Sequence, residues 1–315
     1  CPLTSSRPFT TASSRISELV IVDFFIQKFE ATKLLLLQVM TPDIGNISKF
    51  KTNNGIFPLV RLTTISSTND YASELLKNNK PPDNLIIIAE HQTKGKGQMG
   101  RSWHTSDGNS LNLSYIVKSI AFPPVIFNMA IALGVLNGIR ESAISDELNN
   151  FDFNIKWPND IVVSRKSEVR KVAGILIENS WRGEVQTASI VGVGINVDTR
   201  FTNEISKDFN LSPGNLNDCL NVKTTARTLE LPVINNIQNR IKMLSHNGGI
   251  AKTVHDFNNE LFGVNIEREY TIDNKLFTGK LVGIEEDGRG IFTESNGSII
   301  RAQSSNVVWS WKGNT

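Results

Sequence analysis

The chain has 315 residues, 39% of them hydrophobic and 20% charged, enough for one large core with a smaller one beside it. Its formal net charge of +2 is too balanced to argue for a nucleic-acid surface. Two cysteines, Cys1 and Cys219, and four scattered histidines exclude a disulfide framework and a Cys/His metal cluster, so a reducing cytoplasm is the expected setting.

The chain opens on Cys1 rather than Met, as a fragment or an extended reading frame does. Residues 1–15 are rich in Ser, Thr and Arg and lack acids, a composition shared by transit peptides and, more often, by short polar tails. Leu19 to Met40 is apolar, but Asp23, Lys28, Glu30 and Lys33 interrupt it before any run reaches the roughly 18 residues that a membrane span needs. Pro42, Gly45 and Asn53-Asn54-Gly55 give residues 41–56 the character of a linker. Residues 1–56 are therefore expected as an extension, poorly structured or partly helical.

Leu59 to Leu62 predicts a short strand, and Ser66-Ser67-Thr68-Asn69 offers N-cap chemistry before a helix that begins near Tyr71. Such residues mostly cap helices; they can also present hydroxyls and N–H groups to a ligand. Leu85 to Ala89 is a buried strand, followed by Q-T-K-G-K-G-Q-M-G-R-S-W at 92–103. Gly95, Gly97 and Gly100 let this backbone bend, and Lys94, Lys96 and Arg101 stand among them with no carboxylate between Glu90 and Asp107. A flexible cationic loop of this kind is suited to an anion. Its G-x-G-x-x-G spacing suggests a dinucleotide fingerprint, which needs a helix at the last glycine and an acid about 20 residues on. Instead the chain passes through turn chemistry into Leu111 to Val117, which alternates like a strand, and no acid follows at that distance. The P-loop pattern fails too, and a plain structural turn stays open.

Pro123 to Ser145 carries apolar residues at helical spacing (Val125, Met129, Leu133, Leu136). Asn154 to Trp157 is a strand that Pro158-Asn159-Asp160 turns into Ile161 to Val163. Charged residues beside a buried strand, here Lys156 and Asp160, usually answer to a partner. Lys171 stands at the mouth of the apolar strand Val172 to Ile177, where a cation can hold a carboxylate away from water. Gly192 and Gly194 alternate in the strand Ser189 to Val197, the mark of a close approach. A polar segment to about Lys223 precedes two helices, Val233 to Ser245 and Ala251 to Leu261. From Gly263 the chain alternates and turns like a small antiparallel barrel. The expected class is α+β: a mixed sheet flanked by helices, with a small C-terminal β-barrel.

Five ordered blocks carry a resemblance: Ser67-Thr68-Asn69, Gly95 to Trp103, Lys156-Trp157-Pro158-Asn159-Asp160, Lys171 to Glu178, and Gly192 to Val197. Together they resemble the biotin protein ligases that lack an N-terminal DNA-binding domain, whose loop is G-R-G-R-x-G-R-x-W. The resemblance implies a class II synthetase-like catalytic domain over residues 57–262 and an SH3-type barrel over 263–315. It implies ATP-dependent formation of biotinyl-5′-AMP, with Mg²⁺, and transfer of biotin to a lysine of a carboxylase's biotin carboxyl carrier domain. Lys171 and Arg101 would be catalytic. Biotin would meet Ser67, Thr68, Asn69, Gln92, Lys96, Gly97, Gln98, Lys171 and Gly174. The nucleotide would meet Gly95, Gly100, Arg101, Trp103, Asn159 and Asn196, with Asp160 as a metal or amine contact. No basic base-reading helix accompanies these blocks, so neither nucleic acid nor membrane is expected as a partner, and the protein would be a monomer or weak homodimer. The loop departs from the family at Lys96 and in the Gln98-Met99 step, where the family has arginine. The alternatives are a lipoate–protein ligase of the same fold and a biotin-responsive DNA-binding repressor.

Overall fold

The computed structural model describes residues 47–78, 81–105, 109–118, 120–142, 151–166, 168–199, 201, 211–220 and 223–310. The expected polar tail and the apolar stretch to Met40 lie outside the described residues. In chain order the elements are β1 (Ile47–Thr52), β2 (Gly55–Ile65), α1 (Thr68–Asn78), β3 (Ile86–Gln92), β4 (Gly95–Lys96), β5 (Ser102–Trp103), β6 (Ser110–Lys118) and α2 (Pro124–Ser142). There follow β7 (Asp152–Lys156), β8 (Asp160–Arg165), β9 (Glu168–Arg182), β10 (Val185–Asn196), α3 (Leu216–Leu220), α4 (Ala226–Leu244) and α5 (Gly249–Asn259). The C-terminal strands are β11 (Glu267–Ile272), β12 (Lys275–Ile284), β13 (Gly290–Thr293), β14 (Ile299–Ala302) and β15 (Val307–Trp309).

Eight strands form one mixed sheet in the order β1-β2-β3-β6-β10-β9-β8-β7. The β2–β3 pair is parallel and joined through α1, and β3, β6, β10, β9, β8 and β7 pair antiparallel. Period-two alternation gives the middle of this sheet two unlike faces. Leu111 and Leu113 of β6 share one face with Ile195 and Val193 of β10 and with Ala173 and Ile175 of β9. All are buried in the core, with α2 and α4 packed beside them. The opposite face carries Asn112 and Ser114 of β6, Gly192 and Gly194 of β10, and Gly174 of β9. Short and polar side chains leave that face open beyond the first turn of α1, which rests on it.

Two expectations need correction. Residues 47–56, read as linker, are β1 and the start of β2, because Asn53-Asn54 is the turn of a hairpin rather than a spacer. The helix expected from Val233 begins at Ala226 and runs through Pro232. A capping box between Thr225 and Thr228 secures its first turn, and buried Leu229 and Glu230 hold the segment before the proline. Glu230 takes a two-pronged bond from Arg61 of β2, at 2.8 and 2.9 Å.

The small β domain expected at the C-terminus is a five-stranded antiparallel sheet, ordered β14-β13-β12-β11-β15. Tyr270 is its hub, with ring centroids 5.1 Å from Phe292 and 5.4 Å from Trp309. The segment that leads from α5 into it is bonded to β7 of the large sheet, where Ile155 donates to the Glu260 carbonyl and accepts from the Phe262 N–H. From Ser48 onward the described residues belong to one compact unit. No helix among them is long and apolar enough to cross a membrane.

Candidate active site

On the open face, α1 begins with a cap: the Ser67 hydroxyl accepts from the Asp70 N–H at 3.4 Å. The next two residues therefore point at the sheet. Asn69 lies directly on Gly192, where an added Cβ would stand 2.4 Å from its Oδ1. Ser114 Oγ is 2.6 Å from Asn69 Oδ1 and 2.8 Å from Thr68 Oγ1. Thr68 donates its N–H and its hydroxyl to Gln92 Oε1, at 2.8 and 3.1 Å, and Asn69 Nδ2 donates to Glu178 Oε2 at 2.7 Å. Ser67, Thr68, Asn69 and Ser114 are all buried. The result is a cradle of satisfied, mostly neutral hydrogen-bonding groups. Sequence reasoning missed Ser114, Asn112 and Glu178. The available signal was the spacing Ser110-x-Asn112-x-Ser114, a polar stripe at period two in a strand buried on both faces.

The charged end is built by a bulge. Asp160 pairs with Gly174 and Ile161 with Ala173, but Val162 pairs with Lys171, so Val172 is an extra residue. The one-residue shift turns Lys171 to the face of Asp160 and Gly174. Its backbone is pinned there, with its N–H donating to the Ser212 carbonyl and its own carbonyl accepting from the Gly214 N–H. Lys171 Nζ reaches Asp160 Oδ1 at 2.6 Å, and Lys156 Nζ stands 3.5 Å from Asp160 Oδ2. Burial alone would raise the Asp160 carboxyl, but Lys171 and then Lys156 outweigh it and hold the group below its usual range. Burial lowers Lys156, against the pull of Asp160 and reinforced by the charges on Lys171 and Arg101.

The glycine-rich loop covers this end. Strands β4 and β5 pair as a minimal hairpin, and the turn between them passes through positive φ at Met99 (55°) and Gly100 (73°). The Lys96 ammonium donates to the Asp70 carboxylate, which raises its basicity and ties the loop to α1. Trp103 lies flat on the two-strand glycine pair: an added Cβ on Gly194 would be 2.3 Å from the indole, and one on Gly174 3.1 Å. Lys171 Nζ is 5.6 Å from the Trp103 ring centroid. The indole N–H is buried without a hydrogen-bond partner.

Between cradle and cations is a cavity of about 200 Å³. The structure brings thirteen of the residues singled out from sequence to its wall: Ser67, Thr68, Asn69, Gln92, Lys96, Gly97, Gln98, Arg101, Trp103, Asn159, Asp160, Lys171 and Gly174. Lys156 and the C-terminal Ser304, Ser305 and Trp309 join them, and of these only Lys156 stood out in the sequence. Gly95, Gly100 and Asn196 do not line it. Gly95 instead backs Trp103, whose carbonyl would be 2.4 Å from an added Cβ, and Gly100 sits exposed at the loop tip. Asn196 donates to the Gly214 carbonyl at 3.1 Å, leaving its Oδ1 buried and unpartnered. Asn159 is spent in part on the Ile175 carbonyl. No group of three or more His, Cys, Asp or Glu among the described residues could hold a metal ion.

The profile of the Biotin/lipoate A/B protein ligase family matches residues 62–196. The Bifunctional ligase/repressor BirA of Bacillus spizizenii is 30% identical over 241 residues, covering 73% of this chain and 67% of that protein. The chain belongs to the biotin/lipoate A/B protein ligase family. The protein of the same name from Bacillus subtilis is 29% identical over 260 residues, 79% of this chain and 73% of its own. Among solved structures, the biotin protein ligase from Aquifex aeolicus in complex with biotin and ATP superposes with a TM-score of 0.64 and 26% identity. The match covers 82% of this chain and 98% of that one. The family match runs from β2 to β10 and so takes in the strands that carry both ends of the cavity.

Proposed function

We propose that this protein is an ATP-dependent biotin–protein ligase that makes biotinyl-5′-AMP and passes biotin to a lysine of a biotin carboxyl carrier domain. The observation that carries the reading is one cavity with a neutral hydrogen-bonding cradle at one end and the Lys171–Asp160 pair beneath Trp103 at the other. A ureido ring needs donors and acceptors in a small pocket, and an acid chain needs a cation a few ångströms away. The Aquifex ligase, seen with biotin and ATP, supports the same assignment.

In the first half-reaction the biotin carboxylate replaces Asp160 as the partner of Lys171. One of its oxygens attacks the α-phosphorus of ATP; the new P–O bond forms as the P–O bond to pyrophosphate breaks. Both reactants are anions, so Lys171, Lys96 and Arg101 must supply charge, and alignment alone contributes about 7 kcal/mol or more. In the second, a lysine amine of the acceptor attacks the acyl carbon. A C–N bond forms, AMP leaves with its oxygen, and the amine's proton passes to solvent. Between the steps the loop and Trp103 keep water from the mixed anhydride.

Several finer assignments belong to this proposal. Asn196 reads adenine: its unpartnered Oδ1 is an acceptor for an exocyclic amine. Magnesium arrives on the nucleotide's phosphates, because both oxygens of Asp160, the one carboxylate among the described lining residues, face lysines and make no resident site. The catalytic domain, expected from residue 57, takes in β1 and so covers 47–262, with 263–315 the C-terminal one; the protein acts in the cytoplasm as a monomer or weak homodimer, and it needs no nucleic acid. The test is biotin-dependent exchange of labelled pyrophosphate into ATP. Exchange with lipoate in place of biotin would favour the family's other branch, and a gel shift at physiological salt would favour the repressor role in the name of the Bacillus relatives.

A further inference from the structure

Lys156 and Trp157 are consecutive, and the C-terminal sheet grips both. The Trp309 ring centroid lies 5.6 Å from Lys156 Nζ, and the Phe292 ring lies 6.4 Å from that of Trp157. Pairing with Asp160 across the β7–β8 hairpin puts Lys156 on the face of the cavity, where its side chain is only 15% exposed. Its ammonium has three protons to place, yet among the described residues the one carboxylate near it stands 3.5 Å away and gives its closer bond, at 2.6 Å, to Lys171. Lys156 and Lys171 thus share one buried carboxylate at this end of the cavity, with the exposed Arg101 also on its wall. Buried cations in excess of their partners are costly unless an anion completes them. The site on Lys171 is already assigned to a carboxylate, so Lys156 is left facing the wall that Trp309 and Ser304 close.

We propose that Lys156 holds the terminal phosphates of the nucleotide and the pyrophosphate that leaves, and that Trp309 is the positioning residue that keeps its ammonium in the cavity. The C-terminal sheet thereby takes part in nucleotide binding through a single ring on a lysine stem. A lysine is a point charge for phosphate, and an aromatic face beneath it restrains the stem without competing for its protons. The lowered basicity of Lys156 fits a charge that its surroundings leave undercompensated until a polyanion arrives. The identity of the polyphosphate rests on the ligase reading above; the grip on a polyphosphate does not.

The experiment titrates the full chain with inorganic pyrophosphate and, separately, with biotin, by calorimetry, and follows exchange in parallel. Lys156→Met is expected to weaken pyrophosphate binding at least about tenfold, while Lys156→Arg stays within about threefold of wild type. Trp309→Leu is expected to weaken it about three- to tenfold, and the double variant to be no weaker than Lys156→Met alone, since Trp309 acts through the lysine. Biotin affinity stays within about twofold in every variant. Unchanged pyrophosphate binding in Lys156→Met overturns the proposal, and so does full additivity in the double variant, which would make Trp309 a structural residue only. A wild-type chain that binds pyrophosphate through Lys156 but shows no biotin-dependent exchange overturns the ligase reading and leaves this one standing.

Discussion

The two ends of the cavity solve opposite problems. At the cradle, Thr68, Asn69, Gln92 and Ser114 all find hydrogen-bond partners inside the protein. At the other end, Lys156 and Lys171 share Asp160, the one carboxylate among the described lining residues, while Arg101 and Lys96, the latter tied to Asp70, also stand on the wall. The cradle is a preorganised neutral surface whose cost of burial has already been met by its own network. On the proposed reading, the cationic end holds positive charge in reserve, with Asp160 as a placeholder for anions to come. A molecule with an uncharged polar head and an acid tail, met by a polyphosphate, fits this asymmetry. The difference also says which substitutions should act on which ligand.

The largest expected effect is at Lys171. Lys171→Ala should lower biotin-dependent pyrophosphate exchange by about 10³-fold or more, because it removes the cation that places the attacking carboxylate. The fold should survive, since Asp160 keeps Lys156 as a neighbour. Near-normal exchange in a folded variant would remove Lys171 from the chemistry. Next comes Ser114→Ala, which leaves Asn69 and Thr68 short of a partner in a dry site. Biotin affinity should fall about 10- to 100-fold while the KM for ATP changes by less than about twofold. If both constants fell together, the two ends would not be separable.

Acid should act on the cationic end through Asp160. The Asp160 carboxyl is held below the ordinary carboxylate range by Lys171 and Lys156, so its contribution to stability is fully present above the unfolded value and is lost as pH falls through the lower, folded one. Thermal melts of wild type and Asp160→Asn should differ most near neutrality and converge below about pH 4. A gap that stays constant down to pH 2.5 would mean that Asp160 is not held ionised by its lysines. The smallest effect is at the loop's tether. Asp70→Asn frees Lys96, an exposed pair, and should raise the leakage of adenylate to free biotin and AMP by no more than about fivefold. Unchanged leakage would show that the tether does not govern closure.

Much of this arrangement was legible in the residues. The glycine loop, the strand after it and the lysine at the mouth of β9 are local signals, carried by turn chemistry, period-two alternation and an isolated charge. What escaped was whatever depends on pairing between distant strands. That Lys171 faces Asp160 follows from one extra residue, Val172, which no periodicity reveals. That Ser114 belongs to the cradle follows from its register opposite Gly192. Asn53-Asn54 looked like a linker because a hairpin turn and a spacer share the same composition. The role of Trp309 was hidden for the same reason, 153 residues of chain separating it from the Lys156 it touches.

The central claim is that the cradle and the cations serve one reaction. The most direct test mixes the full chain with biotin, Mg-ATP and a biotin carboxyl carrier domain, and weighs the acceptor. The account predicts a gain of one biotinyl group on a single lysine, dependent on ATP and lost with Lys171→Ala. An acceptor of unchanged mass, or one modified equally well by lipoate, would contradict it.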